Sequence, residues 1–199
     1  MTPRRHKHPV KSPRTPAVTR ARLIAAAQTL FNTKGFDGTD SNRIAAAAGF
    51  APQTFYRHFP DKTAIFLAVY EQWWRAEAEA LRKILNRHPQ GAPRAAARAV
   101  LAFHTDWRVF RRSLRALTVS DPRVRQARAA ARRAQIGELS PGRGRTLAAL
   151  VGTLLTVERL CDAAADGELA DLGLTKPVIV KLIAEALPPL LAQAGPKRP

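Results

Sequence analysis

One short stretch constrains this chain more than any other. Ile44-Ala45, then Ala48-Gly49-Phe50, then Phe55 and Phe59 place small and apolar residues at helical spacing on either side of a glycine. Alanines allow two helices to approach closely, and the glycine supplies the positive φ that a tight turn between them needs. Asp40 is suited to cap the first of these helices, and Pro52 to open the second with its φ already set. Pro60-Asp61 ends the second helix and caps the next. With Phe55 and Phe59 turned inward, Pro52, Gln53, Thr54, Tyr56 and Arg57 are left facing outward. Gln can make a bidentate pair with adenine, and Thr can offer a methyl to thymine or a hydroxyl to phosphate. Tyr56, Arg57 and Lys62 can reach backbone oxygens. These are the parts of a helix-turn-helix reader of double-stranded DNA.

The rest of the chain follows the same helical period. Ile24, Ala27 and Phe31, with Leu23 and Leu30, predict a helix over 19–34 that ends at Lys34-Gly35. A long helix starts near Lys62, carries Ile65, Val69, Trp73 and Phe66, Tyr70, Trp74, and breaks at Pro89 to Pro93. Further helices are expected over 94–106, 107–119, 122–136, 145–165 and 175–192, with loops at 137–144 and 167–173. Val178-Ile179-Val180 is the one β-branched run, and Leu182, Ile183, Ala186 and Leu187 continue it at helical spacing. The fold class is therefore all-α.

Charge sets the choice of partner. Against 33 Lys+Arg stand 15 Asp+Glu in 199 residues, a formal charge of +18, which draws the chain to nucleic acid or acidic lipid. Thr146 to Val157 is the longest useful apolar stretch, well short of the roughly 18–20 residues a membrane span needs, so no membrane partner is expected. Residues 1–18 hold four prolines and five Lys or Arg, with no acid before Asp37. They read as a basic disordered tail, either an arm reaching DNA beside the reading helix or a solubilising extension. A single cysteine, Cys161, forms no intramolecular disulfide and no thiolate cluster, so the expected location is cytoplasmic and no metal or cofactor is expected. Neither HExxH, GxSxG, a phosphate-cradling glycine loop nor C-x-x-C occurs, so the chain does not read as an enzyme.

Gly35-Phe36-Asp37-Gly38-Thr39, Ile44-Ala45, Ala48-Gly49 and Thr54-Phe55-Tyr56-Arg57-His58-Phe59-Pro60-Asp61-Lys62 together resemble the TetR family of helix-turn-helix transcriptional regulators. The likeness covers about residues 19–67. It implies a three-helix DNA-binding domain over 19–62, a helical effector-binding and dimerisation domain over 63–194, a C-terminal tail over 195–199, and about nine helices in all. It also implies that Thr39 and Lys62 contact phosphates, that Gln53 and Thr54 lie at base edges, that Tyr56 binds the DNA backbone, and that His58 anchors the third helix or approaches phosphate. Asn42 stands where some members carry a base-reading arginine, and with Arg43 it completes the expected DNA-facing set. Ser41 replaces an apolar residue that packs the second helix, and Ala51 replaces a Ser/Thr cap; each loss costs ~1 kcal/mol.

Three further groups carry expectations. Tyr70, Trp73, Trp74, Phe103, His104, Trp107, Phe110 and Cys161 are core residues and the candidates for a small-molecule effector pocket, with Asp106, Glu158 and Asp162 as polar partners. His104 alone also fits a satisfied core histidine, and Cys161 fits packing or redox sensing. Leu147, Leu150, Val151 and Leu154, with Ile179, Leu182, Ile183 and Ala186, fit a four-helix homodimer interface. Arg108, Arg111, Arg112, Arg115, Arg123, Arg125, Arg128, Arg132 and Arg133 form a second basic zone, expected as solvated faces or as an attractor of anions. The resulting function is a ligand-responsive homodimeric repressor on a pseudo-palindromic operator. An architectural DNA-binding protein with little specificity and no effector is the alternative.

Overall fold

The computed structural model describes residues 15–87, 92–139 and 146–191; the tail at 1–14, Pro89 and the C-terminal tail lie outside them. Among the described residues the chain is helical, with no strand: α1 (Pro16–Lys34), α2 (Ser41–Ala47), α3 (Pro52–His58), α4 (Lys62–Arg87), α5 (Ala92–Asp106), α6 (Arg108–Ser120), α7 (Pro122–Leu139), α8 (Leu147–Asp166), α9 (Glu168–Asp171), α10 (Lys176–Ala186) and α11 (Pro188–Leu191).

Several boundaries differ from the sequence expectation for local reasons. The first helix starts at Pro16, earlier than expected, because the Thr15 hydroxyl accepts a hydrogen bond from Val18 N–H at 3.3 Å and proline suits the first turn. Gly137 lies inside α7 and not in a loop. One glycine costs a helix only about 1 kcal/mol relative to alanine, and the buried Ile136 beside it holds the turn in place. The expected single final helix is divided at Leu187, ahead of Pro188-Pro189, and the short α9 fills part of the expected 167–173 connection.

Two buried clusters organise the packing. One joins α1, α2 and α3 to α4, α6 and α7 through Leu23, Phe31, Ile44, Phe55, Phe66, Phe110 and Leu114. Phe66 stacks on Phe110 at 4.6 Å and meets Phe31 edge-on at 5.2 Å, so the aromatic chain runs from the amino-terminal helices into α6. The other cluster packs α5, α8, α10 and α11 around Ala96, Val157, Cys161 and Ile183.

Between the clusters lies a charged layer. Arg111, 2% exposed, donates from Nε and Nη2 to both oxygens of Asp162, itself 3% exposed, at 2.8 and 2.9 Å, and lies over the Trp73 ring. His104 Nδ1 donates to Asp162 Oδ1 at 2.9 Å, and its Nε2 faces Glu77 Oε1 at 3.6 Å. Arg115 reaches Asp162 at 3.0 Å and also pairs with Asp166, to which Arg112 donates at 2.8 Å. Arg128 and Arg132 both bind Glu158. The second basic zone thus divides: Arg108, Arg112, Arg123, Arg125 and Arg133 are exposed as expected, whereas Arg111, Arg115, Arg128 and Arg132 turn toward the carboxylates of α8. Burial alone would raise the Asp162 carboxyl, but hydrogen bonds from His104 and Arg111 and the Arg111 charge hold it far below the ordinary carboxylate range. Burial also raises Glu158, and the Arg132 hydrogen bond and the Arg128 charge reverse that into a net lowering.

Candidate nucleic-acid interface

The candidate reading helix α3 is fixed from below. Phe55 is fully buried, Phe59 lies 5.9 Å from it between ring centres, and Arg20 of α1 spreads its guanidinium over Phe59 at 4.9 Å. Ala51 provides no side-chain cap, so Pro52 in the first turn is what presets the helix start. Two glycines shape the approach. Gly49 holds φ +77° between α2 and α3, a conformation side chains disfavour, and at Gly38 a Cβ would sit 2.4 Å from the Lys34 carbonyl oxygen. Asp40 caps α2 by accepting from Arg43 N–H at 2.8 Å.

The outward residues divide into free and engaged groups. Pro52, Gln53, Tyr56 and Arg57 are exposed on one side of α3, while Thr54 and His58 are half-buried. Asn42 and Arg43 are exposed on α2; Arg43 folds back to Asp40 at 3.3 Å and donates to the Gly38 carbonyl at 3.1 Å. Ser41 does not merely forfeit packing: its hydroxyl stands 2.8 Å from the Tyr56 hydroxyl and ties α2 to α3. Thr39 is buried and donates to the Gly35 carbonyl at 2.8 Å. Lys62 Nζ donates to the carbonyls of Phe36 and Thr39 at 2.8 and 2.9 Å and lies over the Phe36 ring, so both expected phosphate ligands are bound within the fold that presents the helix.

This unit is tied to the rest of the chain through the end of α5, through α6 and through the start of α7. Asn32 Nδ2 donates to the Asp106 carbonyl at 2.6 Å, and Phe36 N–H donates to Ser113 Oγ at 2.9 Å. Asp61 caps α4 at Ala64 N–H and accepts from Arg123 at 2.7 Å; the Arg123 hydrogen bond holds its carboxyl below the ordinary value.

The residues expected to line an effector pocket separate. Trp73, His104, Phe110 and Cys161 are buried in the clusters and charged layer, and burial pushes the Cys161 thiol up, away from reactivity. Phe103 and Trp107 are half-buried. Tyr70 and Trp74 instead line an open cleft of about 460 Å³ between α4 and α7, together with Arg20, Ala64, Leu67, Ala68, Glu71, Ala127, Ala130, Ala131 and Ala134. Sequence reasoning missed this alanine wall, whose signal was the Ala127-x-x-Ala130-Ala131-x-x-Ala134 spacing. The polar partners Glu158 and Asp162 are taken by arginines, and Asp106 is exposed. Of the residues expected between subunits, Leu150, Ile179 and Ile183 belong to the chain's own core because α5 packs on α8 and α10. Val151, Leu154 and Ala186 are half-buried, and Leu147 and Leu182 are exposed with Leu155 and Val178.

Residues 23–69 match the profile of the bacterial regulatory proteins of the tetR family. No curated protein matches the chain in sequence. Among solved structures it is similar to a protein from Rhodococcus sp. assigned to the TetR-family transcriptional regulators, at 17% identity and TM-score 0.66 over 88% of this chain and 99% of that one. A TetR-family regulator from Streptomyces coelicolor matches at 22% identity and TM-score 0.64, over 89% of this chain and 96% of the other. The Thermus thermophilus repressor FadR, solved with lauroyl-CoA, matches at 18% identity and TM-score 0.58 over 90% and 96%. The helix-turn-helix segment over 23–69 thus matches the model of the TetR family of bacterial regulatory proteins, and the described helices share the fold of the solved TetR-family regulators.

Proposed function

We propose that the protein is a homodimeric, ligand-responsive transcriptional repressor whose two α3 helices enter successive major grooves of a pseudo-palindromic operator. The observation that carries this reading is the exposed row Pro52, Gln53, Tyr56 and Arg57 on a helix anchored by Phe55 and Phe59. Anchored from below in this way, the row is held in fixed register, as a reader of base edges requires. Exposed Leu147, Leu155, Val178 and Leu182 on α8 and α10 support a second copy as the partner that would cover them. FadR from T. thermophilus holds lauroyl-CoA, which supports an effector for this fold. Release of DNA then requires the effector to bind the DNA-incompetent form preferentially; a coupling of about 3 kcal/mol lowers operator affinity about a hundredfold.

The test is selection of duplexes from a random library at about 150 mM salt with nonspecific competitor, because a chain of formal charge +18 binds any DNA at low salt. A two-fold motif with half-sites about one helical turn apart is expected. Recovery of no motif, with binding that disappears as salt rises, would replace the repressor by an architectural DNA-binding protein.

A further inference from the structure

The cleft between α4 and α7 exists because the two facing helices are mismatched in size. On α4, Leu67, Tyr70 and Trp74 recur at helical spacing, and opposite them α7 presents only alanines, of which Ala127 and Ala131 lie one turn apart. Methyl groups facing large side chains leave a slot that leucines on α7 would have filled. Its volume of about 460 Å³ is that of a small-molecule site.

The polar groups of the slot are few. Tyr70 is 5% exposed, and the charges that bear on its phenol are Glu158, Arg128, Arg111 and Arg132 of the buried layer. Burial raises that phenol to about 12, so at neutral pH it remains a donor. At the rim, the Glu71 carboxylate is neutralised by Arg75 at 2.6 Å. Arg20 has no carboxylate partner among the described residues, and the charge left at the mouth is therefore positive. Two walls of opposed helices favour a flat ligand, the Trp74 ring favours an aromatic one, and Arg20 favours an anion.

We propose that this cleft binds a planar aromatic anion, with the rings between the alanine wall and Trp74 and the acid group at Arg20. Because the Arg20 guanidinium also lies on Phe59 at the end of α3, a ligand that draws it away alters the support of the reading helix directly. That last step rests on the effector-responsive reading above; the binding itself does not.

Calorimetric titration of the full chain with 2-naphthoate and with its neutral analogue 2-naphthylmethanol tests the proposal. One saturable site per chain is expected, with naphthoate bound about tenfold or more tightly than the alcohol. Ala130→Phe, at an exposed helical position that borders the slot, should abolish both, and Arg20→Gln should make the two ligands equal; thermal melting establishes that each variant is folded. Absence of saturable binding to the wild-type chain, or binding that survives Ala130→Phe in a folded variant, overturns the proposal. Naphthoate binding that leaves affinity for the selected duplex unchanged keeps the ligand site and removes the effector reading.

Discussion

Asp162→Asn keeps the side-chain shape while removing one charge at the centre of the buried layer. Arg111 is 2% exposed and donates both of its carboxylate hydrogen bonds to Asp162, while His104 and Arg115 share the same group. Removing one member of a buried pair leaves the other charge without compensation and costs about 3–5 kcal/mol, much more than the pair contributes relative to apolar residues. For a chain of this size that lowers Tm by about 6–20 °C. Urea unfolding followed by fluorescence of Trp73, which lies under the Arg111 guanidinium at 4.8 Å, reports the loss. The sign of the pH dependence is fixed by the lowered carboxyl. Its stabilisation is complete above the ordinary value of 3.8 and is lost as pH falls from there toward the folded-state value, so the gap between wild type and variant stays constant from about pH 8 to 5 and closes below about 4. The double change Arg111→Met with Asp162→Asn should cost less than the sum of the single changes by at least ~1 kcal/mol. A loss under about 1 kcal/mol, or a gap that does not narrow in acid, would refute the reasoning that this ion pair is desolvated and mutually dependent.

Gln53→Ala should lower affinity by about 1–3 kcal/mol for the selected duplex and relax preference at one base pair, as read by competition against single-site variants; equal loss on random DNA would remove its base-reading role. Ser41→Ala frees the Tyr56 hydroxyl, now 2.8 Å away, and should weaken all duplexes alike by about 0.5–1.5 kcal/mol, with Ser41→Thr restoring binding in the same fluorescence-anisotropy assay. Gly49→Ala places a side chain at φ +77° and should cost about 1–2 kcal/mol in urea unfolding; its Cβ contact is only with the movable Arg22 end, at 3.1 Å, so a much larger loss would contradict the backbone argument. Leu182→Asp, on the exposed side of α10, should give monomers by sedimentation velocity with weakened duplex binding, and an unchanged dimer would move the interface elsewhere.

The helix-turn-helix block was legible because its information is local. Asp40, Gly49, Pro52 and the Phe55–Phe59 pair act within a few residues of themselves, and the structure uses each as its chemistry suggests. The charged layer was illegible for the opposite reason. Arg111 meets a carboxylate 51 positions away, His104 one 58 away and Arg128 one 30 away, and nothing in an arginine's neighbours reveals such a partner. The faces of α8 and α10 were legible only in part: both helices are apolar on more than one side, and period alone does not say which side meets α5 and which remains exposed. Lys62 shows that even a recognised block hides its internal bonds, since its ammonium binds two backbone carbonyls contributed by residues 26 and 23 positions earlier.

Helix α6 is fastened on both flanks, by Ser113 to the amide after α1 and by Arg111, Arg112 and Arg115 to α8, while Phe110 continues the aromatic chain of α1 and α4. The reading head is consequently not a detachable module. A chimera that grafts another protein's first three helices onto this chain inherits a foreign face for Phe110 and Ser113, and has to bring matching residues on α6 with it. Exchange of α3's exposed side chains alone leaves that seam untouched, and under the proposed reading of DNA by α3 it is the route that redirects this scaffold to a new sequence without rebuilding it.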